Sequence, residues 1–204
     1  MITIIDYGLG NIQAFVNIYK RLNISVQVAK TGIEAARATK LILPGVGAFD
    51  YALTLLEASG MRPVLNELVL EKKTPVLGIC VGMQILAGSS EEGILPGLGW
   101  ISGKVLGFKT NPCFNGLPLP HMGWNDVIPV STNDLFIGLE REARFYFLHS
   151  YFFECEEREH SIAKAHYGTD FCCAVQSENV FGVQFHPEKS HQWGIQLLRN
   201  FAEM

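Results

Sequence analysis

Pro75-Val76-Leu77-Gly78-Ile79-Cys80-Val81-Gly82-Met83-Gln84 decides how the rest of the chain is read. Pro75 to Ile79 is a continuous apolar run, the pattern of a strand at the centre of a sheet covered on both faces. It runs into Gly-x-Cys-x-Gly. A strand that turns sharply into a helix lifts one side chain above the end of a parallel sheet and crowds the residues on either side of it. Gly78 and Gly82 remove the Cβ atoms that would collide there, as in the Gly-x-Ser-x-Gly turn.

Outward from this turn, the N-terminal half alternates strand and helix. Ile2 to Asp6 reads as a strand. Asn11 to Leu22 reads as a helix, with Ile12, Phe15, Val16, Tyr19 and Leu22 on one face. Ile24 to Ala29 is a strand, Thr31 to Thr39 a short helix, and Leu41-Ile42-Leu43 a strand stopped by Pro44 and Gly45. Helical stretches follow at Tyr51 to Glu57 and Met61 to Glu71. From Trp100 to Phe185 the signals are short strands broken by Gly, Pro and Asn. Ser177 to Val180 reads as a tight turn between Cys172–Gln176 and Phe181–Phe185. A last helix runs from Ser190, a good N-cap, to Phe201. The expectation is one α/β domain over residues 1–204. It is a three-layer sandwich around a mixed, largely parallel sheet, whose parallel half carries Cys80 and whose antiparallel half delivers His186.

Composition excludes several classes. The 204 residues are 48% apolar and 18% charged with net charge −4, an ordinary globular balance. No basic block points to nucleic acid and no polybasic amphipathic stretch to a membrane. The apolar runs are strand-sized, and Met1 leads directly into Ile2-Thr3-Ile4-Ile5, so neither a membrane span nor a signal peptide is expected. Cys80, Cys113, Cys155, Cys172 and Cys173 are odd in number and form no Cys-x-x-Cys pair, which argues against a disulfide framework or zinc and for a reducing cytoplasm. The six histidines show no metal-ligand spacing, so no metal and no cofactor are expected.

Chemistry concentrates at two places. Cys80 is expected at the N-terminus of a helix starting near Val81, where the dipole and free N–H groups favour a thiolate. Taken alone, it is equally well a small buried apolar residue. Val183-Gln184-Phe185-His186-Pro187-Glu188 reads as a strand ending in a histidine, with Glu188 returning to the same side. Taken alone, His-Pro-Glu is more often a loop. Together Cys80, His186 and Glu188 supply a nucleophile, a base and a carboxylate to orient the base, the minimum for cysteine-based acyl transfer.

Three glycine-rich loops invite a nucleotide reading and fail it. Gly8-Leu9-Gly10 has Gln13 where a third glycine is needed, Gly45-Val46-Gly47 has Asp50, and Gly88 to Gly93 is followed by Ile94 instead of lysine. The Gly45–Gly47 loop has another use. It leaves a parallel strand at the same edge as Cys80, so backbone N–H groups of Val46 and Gly47 can join that of Val81 in an oxyanion hole.

Pro44-Gly45-Val46-Gly47-Ala48-Phe49, Gly78 to Gln84 and Gly182 to Ser190 resemble the class I glutamine amidotransferases. Ile5 to Asn11, Pro120 to Asn125 and Phe145 to Tyr151 look like the glutaminase subunits of imidazole glycerol phosphate synthases. The resemblance spans the chain in order. It implies a Cys80–His186–Glu188 triad acting on L-glutamine, with Gly47, Gln84, Ser150 and Tyr151 holding the substrate. It also implies a heterodimer with a synthase or cyclase subunit in histidine biosynthesis, with His121, Met122, Gly123, Trp124 and Asn125 beside that partner. For this last segment the residues alone leave open a hairpin with a buried Trp. Val81 stands where leucine is usual, which keeps the backbone N–H. That valine and Ser190-His191-Gln192-Trp193 are similar to second copies serving a surface-polysaccharide amidotransferase, with the same glutamine chemistry and a different ammonia acceptor. Two other readings stay open: a cysteine hydrolase or chaperone that needs neither Gln84 nor a partner, and a non-catalytic regulatory subunit.

Overall fold

The computed structural model describes residues 1–204. Its thirteen strands are, in chain order, β1 Ile2–Ile5, β2 Val26–Ala29, β3 Leu41–Gly45, β4 Val76–Cys80, β5 Ser89–Ser90, β6 Gly103–Gly107 and β7 His121–Asp126. They continue with β8 Ile128–Pro129, β9 Arg144–His149, β10 Tyr151–Cys155, β11 Ser161–His166, β12 Asp170–Ser177 and β13 Val180–Val183. The main sheet has the order β2-β1-β3-β4-β13-β12-β10-β6-β5, with β11 and β8 attached through β12. From β2 to β13 neighbouring strands are parallel. β12 then turns antiparallel to β13. Every residue of β1, β3, β4 and β13 is buried, as in a sheet covered on both faces. β7 and β9 form a separate antiparallel ribbon.

The helices are α1 Ile12–Arg21, α2 Gly32–Ala35, α3 Phe49–Ala58, α4 Arg62–Asn66, α5 Val81–Gln84 and α6 His191–Glu203. α1 starts where Asn11 accepts the Ala14 N–H, and Lys20 and Arg21 complement its last turn. Thr31 and Glu34 form a capping box on α2, which is one turn and stops at Ala35, short of the expected Thr39. The expected Met61–Glu71 helix is α up to Asn66 and widens into a π turn over Glu67–Glu71. A single cluster of 58 buried apolar residues, from Ile2 to Phe201, fills the interior. No helix is long and apolar enough to cross a membrane.

Two expectations need correction. Pro44 and Gly45 do not stop β3: they pair with Ile79 and Cys80 and extend the strand to the level of the nucleophile turn. The histidine is not delivered by the antiparallel half. β13 lies directly beside β4 and parallel to it, and ends at Val183, three residues before His186.

Candidate active site

Three strand ends meet at one point. Gly45 at the end of β3 lies opposite Cys80 at the end of β4. On the other side Val183 lies opposite Ile79, which brings Gln184 level with Cys80. The Val46-Gly47 loop, the Cys80 turn and the segment leading to His186 therefore leave from one edge, the carboxyl edge where parallel sheets place their sites.

Cys80 has φ 56° and ψ −114°, a strained conformation for any residue with a side chain. The flanking glycines make it possible. A Cβ on Gly78 would meet the Gly82 carbonyl oxygen at 2.5 Å, and one on Gly82 would overlap the Leu43 carbonyl. α5, which follows, is only four residues long. The expected contribution of a helix dipole to the thiolate is thus corrected, because a single turn aligns too few peptide units. The positive charge near the sulfur belongs to His186.

His186 crosses from the main sheet to the ribbon, where its N–H donates to the Tyr146 carbonyl at 2.8 Å. Ser190 clamps this crossing. Its hydroxyl donates to the His186 carbonyl at 2.6 Å and accepts the Tyr146 N–H at 2.9 Å. It therefore makes no capping bond to α6, contrary to the sequence expectation. The His186 Nδ1–H donates to Glu188 Oε1 at 2.8 Å, and both side chains are 3% exposed. That leaves Nε2 for Cys80. Burial opposes a charged ring, but the Cys80 and Glu188 side chains outweigh it and push His186 up to about 10. The arrangement favours an imidazolium, held by Glu188 on one side and facing the Cys80 sulfur on the other.

Above Cys80 opens a pocket of about 340 Å³. Val46, Gly47, Val81, Gln84, Ser150, Tyr151 and His186 all line it. Gly47 has φ +92° and no atom within 4 Å of where a Cβ would stand, so the space beside its Cα is open. Gln84 donates both amide hydrogens inward, to the Tyr151 carbonyl at 3.1 Å and to Gln184 Oε1 at 3.0 Å. Only its oxygen is left for a ligand. Glu188 is behind His186 and does not line the pocket.

Sequence reasoning missed Glu92 in this wall. Its carboxylate accepts the Phe49 N–H at 2.9 Å. Burial and the nearby Asp50 raise it, against that hydrogen bond. It offers a counter-charge for an ammonium group. The signal was the acidic pair Glu91-Glu92 inside the glycine loop that failed as a phosphate site.

The segment expected beside a partner, His121 to Asn125, divides by strand alternation. On β7, Met122 and Trp124 are 62% and 40% exposed, whereas His121 is 3% exposed. Trp124 stacks on His191 at 5.3 Å and is not a buried filler. His121 is corrected: it faces inward, between Phe147 and Tyr167. There Asn125 Nδ2 donates to His121 Nε2 at 3.3 Å, His121 Nδ1 to His149 Nε2 at 3.0 Å, and His149 Nδ1 to the Tyr151 carbonyl at 2.8 Å. The Tyr151 carbonyl requires Nδ1–H on His149, and the Asn125 amide N–H requires a bare Nε2 on His121; together they run the bond between the rings from His121 Nδ1–H to His149 Nε2 and leave both rings neutral. Burial lowers His121 to about 4 and His149 to about 3.

The chain matches the family described as glutamine amidotransferase class-I over residues 3–204. It is 63% identical to the imidazole glycerol phosphate synthase subunit HisH of Bdellovibrio bacteriovorus over 204 residues, all of both chains. It is 55% identical over the same full lengths to the subunit of that name from Leptospira interrogans. Among solved structures, a putative GMP synthase protein from Thermoplasma acidophilum shares the fold with a TM-score of 0.72. That pair is 20% identical and covers 99% of this chain and 92% of the other.

Proposed function

This chain belongs to the class I glutamine amidotransferases, and we propose that it is the glutaminase subunit of an imidazole glycerol phosphate synthase in histidine biosynthesis. As one glutaminase domain, it would hydrolyse L-glutamine to glutamate and ammonia and deliver the ammonia to a cyclase partner. The observation that carries the chemistry is the convergence of Cys80 and the 2.8 Å His186–Glu188 pair under one pocket of substrate size.

Cys80 attacks the side-chain amide carbon as the thiolate. Backbone N–H groups of Val81 and the Val46-Gly47 loop face the oxyanion. His186 passes its proton to the departing ammonia, and Glu188 keeps the ring aligned while its charge changes. Water, with its proton taken by His186, then cleaves the γ-glutamyl thioester. Gly47, the Gln84 oxygen, Ser150 and Tyr151 surround the substrate, and Glu92 takes its ammonium group. Met122 and Trp124 meet the partner, a reading supported by their exposure on β7.

The test is a complex reconstituted with the cyclase. Cys80→Ala should abolish glutamine-dependent product formation and leave synthesis from added ammonium salt intact, because free ammonia bypasses the thioester. Loss of both activities in an intact complex would overturn the division of labour.

A further inference from the structure

Gln184 is fully buried, and none of the steps above uses it. Its backbone N–H is committed to the Cys173 carbonyl at 2.8 Å. Its side chain stands one strand over from the nucleophile, with Nε2 3.8 Å from Cys80 Sγ, within reach of a hydrogen bond to sulfur. The direction of that amide is dictated by its neighbours. Gln84 must present its nitrogen to the Tyr151 carbonyl, and the same nitrogen meets Gln184. Gln184 therefore turns its oxygen to Gln84 and its N–H to the sulfur. Val183 and Phe185 on either side are apolar and buried, and a third apolar residue would fill this position at less desolvation cost.

We propose that Gln184 is a positioning residue for Cys80, its N–H group aimed by Gln84 so as to fix the sulfur and stabilise its negative charge. The inference rests on the reading of Cys80 as the glutaminase nucleophile. It assigns Gln184 a part that His186 cannot fill. The ring gives its proton to ammonia and must act as a base afterwards, whereas an amide donor keeps its proton. Gln184 is thus still a donor when the thioester breaks and the sulfur leaves as a thiolate.

Gln184→Met keeps the volume and removes the donor, and Gln184→Glu keeps the shape and replaces the donor with an acceptor. The probe is chloroacetamide, with modification of Cys80 followed by peptide mass spectrometry, alongside glutamine turnover in the reconstituted complex. We expect the Met variant to lose about ten-fold in both the Cys80 alkylation rate and kcat, and the Glu variant to lose more. KM for glutamine should stay within about two-fold, because Gln184 does not line the pocket. Folded Met and Glu variants that alkylate at the parental rate would overturn the proposal. If neither folds, Gln84→Met alone decides it by the same assay, and an unchanged rate overturns it. If parental Cys80 reacts no faster than the exposed Cys113, the glutaminase reading fails first and the proposal fails with it.

Discussion

Acid should destabilise this protein through two buried imidazoles. His121 and His149 are 3% and 6% exposed, and a proton on either ring breaks a bond in the chain that ends on the Tyr151 carbonyl. The rings of Phe108, Phe147, Tyr167 and Phe171 face them, with Asn125 beside His121 and His186 beside His149. Their folded values of about 4 and about 3 lie below the ordinary 6.5. From about 6.5 downward the unfolded chain therefore takes up protons that the folded chain refuses, and stability falls with pH. A pH of about 5 lies some 1.5 units below the ordinary value that each ring has in the unfolded chain. At about 1.4 kcal/mol per unit the pair withdraws about 4 kcal/mol relative to neutral pH, a large share of a typical 5–15 kcal/mol. His186 has the opposite sign. Its raised value gives stability that is complete below about 6.5 and is lost as pH rises through about 10, so it offsets the acid loss only slightly. Urea unfolding at a series of pH values measures this directly. His149→Gln keeps a donor for the Tyr151 carbonyl and an acceptor for His121 but does not titrate. Whatever its absolute stability, it should lose about 2 kcal/mol less than the parent between about pH 7 and about pH 5. An equal loss in both proteins would refute the reasoning.

Trp124→Ala should leave the melting temperature nearly unchanged, well short of the roughly 3–5 kcal/mol of a buried Trp truncation, because the ring is half exposed. It should weaken complex formation or release glutamate without matching product; a destabilised variant that stays coupled would contradict this. The chain alone should turn over glutamine slowly and be stimulated roughly a hundred- to a thousand-fold by the acceptor-loaded partner, since one missing oxyanion donor costs about that much. Equal initial rates with and without partner would show a site already complete. Glu188→Gln should preserve the fold and lower kcat by at least about a hundred-fold, with KM little changed, because the ring loses its orienting charge. A wild-type kcat would remove Glu188 from the site.

The fold was legible where one residue type meets one steric need. Gly78 and Gly82 announced the turn because nothing larger fits where α5 packs against β4 and β3. The uninterrupted apolar runs announced the parallel strands because both faces are covered. Less legible was everything decided by side chains meeting across the fold. Ser190 has the identity of a cap, yet its hydroxyl serves two backbone groups that only the crossing of His186 brings together. His121 sits in a partner-like motif, but strand alternation turns it inward onto His149, 28 residues away. Gln184 lies inside a motif already in view. Its aim at Cys80 depends on the register of β13 on β4, which periodicity does not specify. Glu92 is hidden because its place in the pocket wall depends on a contact with the Phe49 N–H, 43 residues away.

Labelling with a glutamine-mimicking electrophile, followed by peptide mass spectrometry, tests the central claim most directly. Cys80 alone ends β4 in a glycine-flanked turn beside His186, whereas Cys173 is enclosed and Cys113 is exposed without such a setting. One adduct per chain is expected, on Cys80, prevented by excess glutamine and by His186→Ala. Label carried mainly by Cys113, Cys155, Cys172 or Cys173, or label on Cys80 that glutamine does not suppress, would contradict the account.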